Sequence, residues 1–269
     1  MTPNITAAKQ DLNSGKRFSA YSTAYVTTNE DNLRNTLKHI PENAQSALTV
    51  AASGDHPMFT QLYGIAHVDT FDVSWHAKLI MDIKTVAIRL LKYKDYCELL
   101  ENLNRAATNV MLVDHMPDIV AQLPQFEQQY LMEMGEYHLF GREWYMPEKV
   151  LPTKSEYKQM RKTINKPYNF IWSDIEHLHT QLKGKYDFIH LSNIMDYISS
   201  YNGDSTRILR RLAKHTRPGS NICMVGLCQI PFYACQQFLA SLKSTKTNKQ
   251  SWKYYQLPYD NTYILHRER

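Results

Sequence analysis

Ser53-Gly54-Asp55-His56-Pro57 follows an apolar run at residues 47–52, and Asp72 closes a second strand-like run eighteen residues after Gly54. These residue types at this spacing suit a nucleoside. A glycine turn between a buried strand and a helix aims backbone N–H groups and the helix N-terminus at a ligand. A carboxylate at the tip of the next strand then accepts both ribose hydroxyls. The three glycines of a dinucleotide fingerprint are missing, so the pattern predicts an adenosine ligand without a pyrophosphate. S-adenosylmethionine fits best, held by Ser53, Gly54, Asp55 and His56 from the first loop and by Asp72, Val73 and Ser74 from the second.

Two later strand ends offer further groups. Asp174 can accept the adenine amino hydrogen while the Ile175 backbone meets the ring, although a plain turn residue explains Asp174 equally well. Ser192 and Asn193 suit the methionine half of the donor, where a carboxylate and an ammonium need partners. Tyr25 or Tyr197 can present a ring face to the sulfonium; most of the 18 tyrosines serve packing. Asp196 is a candidate base for a hydroxyl acceptor, with Tyr197, Glu30 and Asp31 beside it, and equally a partner for the donor's ammonium. The histidines are scattered. The pair at His177 and His179 lacks companions at metal spacing, so no metal is expected.

The elements that would position these residues alternate. Strands are expected at residues 47–52, 67–73, 168–174, 186–192 and 221–227, with a terminal hairpin at 252–257 and 262–266. Gly64 closes the first helix and Ser74 caps a long one whose inner face reads Ile80, Ile83, Ala87, Leu90 and Leu91. Asp204 caps a helix with Ile208, Leu209 and Leu212 inward, ended by Arg217-Pro218-Gly219. A polar arm with a short helix at residues 30–39 occupies 1–46, and residues 92–166 read as a helical insertion after the second strand. Alternation of this kind means a mostly parallel sheet covered on both faces. The expected fold is α/β and Rossmann-like, a seven-stranded class I methyltransferase fold in a single domain at 1–269.

Bulk properties agree. The 269 residues are 43% hydrophobic and 21% charged, with net charge +5, as in an ordinary globular protein. The polar N-terminus is no signal peptide, no window is apolar enough to span a membrane, and no Cys-x-x-Cys occurs among Cys97, Cys223, Cys228 and Cys235. Reduced thiols in the cytoplasm are expected. Basic stretches at 154–166, 207–217 and 243–253 read as solvated faces, giving at most peripheral contact with anionic lipid. Nucleic acid is not expected, because no exposed aromatic platform interleaves them.

The run Tyr21-Ser22-Thr23-Ala24-Tyr25-Val26-Thr27-Thr28-Asn29-Glu30-Asp31, an aromatic segment leading into Glu-Asp, carries a family likeness. With Ala51-Ala52-Ser53-Gly54-Asp55-His56, Asp72-Val73-Ser74, the helix containing Lys84, and Leu191-Ser192-Asn193-Ile194-Met195-Asp196-Tyr197, it resembles the S-adenosylmethionine:diacylglycerol 3-amino-3-carboxypropyltransferases. The likeness covers residues 20–91 and 168–227. Members of that family tend to carry asparagine at the place of His56 and Asn-Pro at Ser74-Trp75. The resemblance implies a seven-stranded fold with a helical insertion, and transfer of the aminocarboxypropyl arm to a small-molecule or lipid acceptor with release of methylthioadenosine. A conventional small-molecule methyltransferase is the alternative, and a non-catalytic donor-binding protein is a third reading.

Overall fold

The computed structural model describes residues 3–16, 19–28, 33–105, 109–141, 151–164, 167–200, 203–226, 230–243, 251–257 and 261–268. In chain order the elements are α1 (Ile5–Ser14), β1 (Ala24–Tyr25), α2 (Leu33–Leu37), β2 (Ser46–Val50), α3 (Asp55–Leu62), β3 (His67–Asp72) and α4 (Trp75–Leu90). There follow α5 (Tyr93–Arg105), α6 (Met116–Val120), α7 (Gln125–Met134), β4 (Phe140–Gly141), α8 (Lys154–Thr163), β5 (Asn169–Trp172) and β6 (Tyr186–His190). The chain then runs through α9 (Ile194–Ser200), α10 (Ser205–Ala213), β7 (Thr216–Val225), α11 (Ile230–Lys243), β8 (Trp252–Gln256) and β9 (Thr262–Arg267).

Seven strands form one sheet in the order β5-β3-β2-β6-β7-β9-β8. β2, β6 and β7 run parallel, whereas β9 lies antiparallel between β7 and β8. Counted within this sheet, the order is third, second, first, fourth, fifth, seventh, sixth, which is the Rossmann-like class I methyltransferase arrangement expected from the sequence. The order reverses at β2, and in open α/β sheets a ligand binds outside the carboxyl ends of the strands at such a point. Ala47, Leu48, Thr49 and Val50 of β2 are all buried, as a strand covered on both faces requires.

The chain forms two compact units, each assembled from three stretches. The first comprises Met1–Asp31, Ala51–Met58 and Phe71–Ser173; the second comprises Asn32–Val50, Phe59–Thr70 and Asp174–Arg269. At the core of the first is α4, in which every residue from Trp75 to Ile88 except Lys78 is buried. A helix buried all round needs packing partners on every side, and α5, α6 and α8 supply them. In the second unit, β6, β7 and β9 carry the apolar core, and the amphipathic α10 turns Ile208, Leu209 and Leu212 inward.

Local signals read from sequence hold in several places. Ser74 caps α4 by accepting the His76 N–H, and Asp204 caps α10 by accepting from Arg207. Gly64 sits at φ 103° after α3, and β8 and β9 make the terminal hairpin. Elsewhere the structure departs. The N-terminal arm contains α1, capped by Asn4, whose side chain accepts the Ala7 N–H. Leu90, the last residue of α4, is 47% exposed and not part of its inner face, whereas Leu91 after it is buried. Arg217, Pro218 and Gly219 do not end a helix but lie within β7. There Thr216 aligns with Tyr186 and Asn221 with Phe188, so the Pro-Gly stretch bulges, with Gly219 at φ 83°.

Candidate functional site

The loop after β2 is built by backbone geometry that few residues tolerate. Ala52 holds φ 44° and Gly54 φ 83°. A Cβ on Gly54 would fall 2.9 Å from Met81 Cα, so glycine is needed both for the turn and for the close approach of α4. The Gly54 N–H donates to the Ala51 carbonyl at 2.6 Å and closes the turn. Ser53, Asp55 and His56 are all buried.

Asp55 is the hub of this loop. Its Oδ2 accepts the Thr28 N–H at 2.7 Å and the Ser53 hydroxyl at 2.8 Å, while Oδ1 accepts Lys84 Nζ at 2.7 Å. The Lys84 side chain has no solvent exposure. The Asp55 carboxylate thus accepts from three groups of the chain itself. Its contribution is to shape the loop. Sequence reading placed Lys84 only on a helix of the family likeness and did not find its partner. The available signal was a lysine among Ile80, Met81, Ile83, Val86 and Ala87, where solvent is out of reach.

Asp72, half-buried, ends β3. Oδ2 accepts the Ala52 N–H and Oδ1 the Ser74 N–H, each at 2.9 Å. Burial pushes the Asp72 carboxyl up to about 6, against backbone N–H bonds from Ser74, Ala52 and Val73 and the nearby His56 that pull it down. A carboxylate has about four acceptor sites, and these backbone bonds do not fill them all. The Val73 carbonyl accepts Trp172 Nε1 at 2.9 Å, and Ser74 Oγ donates to the Ser22 carbonyl at 2.5 Å. Tyr25, in β1, is half-buried between buried Ala24 and Val26.

In the second unit, Ser192 follows β6 at φ 50° and is buried; its carbonyl accepts the Val225 N–H at 2.8 Å. The Asn193 carbonyl accepts the Asp196 N–H at 3.1 Å in the first turn of α9. Asp196 is buried and Tyr197 half-buried. Asp174 is exposed and holds the turn after β5, accepting the His177 N–H at 2.8 Å and facing its Nδ1 at 2.9 Å. Ile175 is buried. The turn role weighed for Asp174 is thus present. Glu30 and Asp31 lie outside the described residues.

Among the described residues no group of three or more His, Cys, Asp or Glu side chains could hold a metal ion. None of the described helices is long and apolar enough to cross a membrane. Asp72 thus ends β3, the strand next to β2, with donors on both its oxygens.

No family model matches the sequence, and no curated protein matches it. Among solved structures the chain is similar to the precorrin 8w decarboxylase of Methanobacterium thermoautotrophicum, at 9% identity over 90% of this chain and 91% of that one, TM-score 0.42. It is also similar to a ribosomal protein L11 methylase from Lactobacillus delbrueckii subsp. bulgaricus (10% identity, 88% and 76% covered, TM-score 0.41). A third is the N-methyltransferase NodS from Bradyrhizobium japonicum (9% identity, 89% and 93% covered, TM-score 0.40). These are likenesses of outline, and the reading of the site rests on its own residues.

Proposed function

We propose that the chain is an S-adenosylmethionine-dependent transferase that moves the 3-amino-3-carboxypropyl group to a small-molecule or lipid acceptor. The observation that carries the donor reading is Asp72, a half-buried carboxylate at the end of the strand next to the switch point, with both oxygens oriented by backbone donors. The Gly54 turn lacks a phosphate cradle, in keeping with a donor that bears none. The choice of transferred group rests on the family likeness of residues 20–91 and 168–227.

On this reading the acceptor's nucleophile attacks the γ-carbon of the amino acid arm. The carbon–sulfur bond breaks, the electron pair stays on sulfur, and neutral methylthioadenosine leaves. Asp196 takes the proton of a hydroxyl acceptor, with Tyr197 and Glu30 as the further candidates for that role. Helices α5 to α8 would line the acceptor's pocket.

The sheet order favours a second reading, conventional methyl transfer, because that arrangement is the methyltransferase one. Mass spectrometry of the nucleoside product separates the two. Methylthioadenosine supports aminocarboxypropyl transfer, and S-adenosylhomocysteine overturns it in favour of methylation. Asp196→Asn should bind the donor as the native chain does, by calorimetry, while turnover with a hydroxyl acceptor falls about a hundredfold or more.

A further inference from the structure

The N-terminal segment at residues 20–28 is bonded to both loops that carry the expected nucleoside ligands. At one end the Ala20 carbonyl accepts the Trp75 N–H at 2.9 Å and the Ser22 carbonyl accepts Ser74 Oγ at 2.5 Å. At the other end the Thr28 N–H donates to Asp55 Oδ2 at 2.7 Å. Tyr21 adds an edge-on ring contact with Trp172, centroids 5.6 Å apart. Between these ties Ala24, Val26 and Thr27 are buried, Tyr25 is half-buried and Thr23 is exposed.

The Lys84–Asp55 pair is an expensive way to fix a loop. A buried ion pair loses two hydration shells, and two apolar side chains of the same volume would pack as stably. What the carboxylate adds is acceptor capacity: Thr28, Ser53 and Lys84 converge on one side chain from the N-terminal segment, the β2 loop and α4. Charge-assisted bonds of this kind are shorter and stronger than neutral ones, and here they join segments 27 and 29 residues apart.

We propose that residues 20–28 form a fixed wall of the nucleoside site, fastened through Asp55 at one end and Ser74 at the other. Lys84 is the positioning residue that holds the Asp55 carboxylate on the Thr28 amide. This proposal rests on the donor reading given above. It makes donor affinity depend on ties through Ala20, Ser22 and Thr28, none of them an expected ligand residue, which hold the expected residue Tyr25 in place.

The test uses the full chain, with S-adenosylhomocysteine as the probe in calorimetry and amide hydrogen exchange read at residues 24–28. Asp55→Ala combined with Lys84→Met removes the acceptor without leaving a lone buried charge. Exchange at Thr28 should quicken and the Kd should rise about ten- to a hundredfold, the worth of one lost charge-assisted hydrogen bond. If that variant does not fold, Asp55→Asn with Lys84→Met carries the test, its amide oxygen giving a smaller rise in both readouts. A folded variant with native Thr28 exchange, or one with fast exchange and native affinity, overturns the proposal. A native chain that binds no S-adenosylhomocysteine overturns the donor reading instead, while the exchange measurement still decides whether Asp55 fastens the strap.

Discussion

Lys78 and Lys84 stand on the same buried helix and meet acid in opposite ways. Lys84, fully buried, faces one carboxylate, and that carboxylate is also hydrogen bonded to Thr28 and Ser53. Lys78, with 26% of its side chain exposed, faces two: Asp82 at 2.5 Å on α4 and Glu127 on α7. Glu127 is buried and its Oε2 has no hydrogen-bond partner. Burial together with the neighbouring Asp82 raises the Glu127 carboxyl to about 7, outweighing the pull of Lys78. The contrast teaches that matched buried charge ties loops together, whereas unmatched charge turns a helix contact into a titrating one.

The largest expected effect comes from unbalancing the matched pair. Lys84→Met alone leaves Asp55 buried without its cation and should cost about 3–5 kcal/mol in urea denaturation. Adding Asp55→Asn should restore most of that loss. If the single change is harmless, the pair is not what holds the loop.

Relieving the unmatched cluster should work in the other direction. Glu127 keeps its proton to higher pH in the folded chain than in the unfolded one, where 4.5 is the ordinary value. Its stabilising contribution is therefore complete below about 4.5 and lost as pH rises through about 7. Glu127→Gln should gain on the order of 2 kcal/mol at pH 8 and none at pH 4, measured by denaturation at both values. A gain equal at both pH values would show that packing, not charge, is responsible.

Asp72 gives a smaller effect, read in the ligand. As a carboxylate it accepts two hydroxyls, and protonation near pH 6 removes acceptor capacity. Affinity for S-adenosylhomocysteine should fall about tenfold between pH 7 and pH 5, and Asp72→Ala should flatten that dependence. The smallest effect expected is that of Ser74→Ala, about 1 kcal/mol from loss of the α4 cap. Because Ser74 also holds Ser22, the variant should in addition quicken amide exchange around residues 20–22.

Features whose partners lie within a turn were legible from sequence. Ser74 and Asp204 cap their helices through hydrogen bonds spanning two or three residues, and Gly64 ends α3 by its own backbone preference. The α/β class followed from alternation of strands and helices, and the closing hairpin pointed to the seven-stranded fold. What escaped was set by distance or by ambiguity. The bonds that Asp55 makes with Thr28 and Lys84 left no local signal, because those partners are far off along the chain. Pro218-Gly219 signals a break in regular structure without saying which kind, and a bulge satisfies it as well as a helix end. Asn4 was polar enough to read as arm, yet it caps a helix through Ala7.

The antiparallel insertion of β9 between β7 and β8 bears on biosynthesis. During translation β7 emerges well before Thr262 and must wait with one row of amides and carbonyls unsatisfied. For that interval the nascent chain carries an open sheet edge that another polypeptide could occupy. A truncation that stops short of Thr262 would make the exposure permanent, and such a chain should be recovered in inclusion bodies instead of in the supernatant.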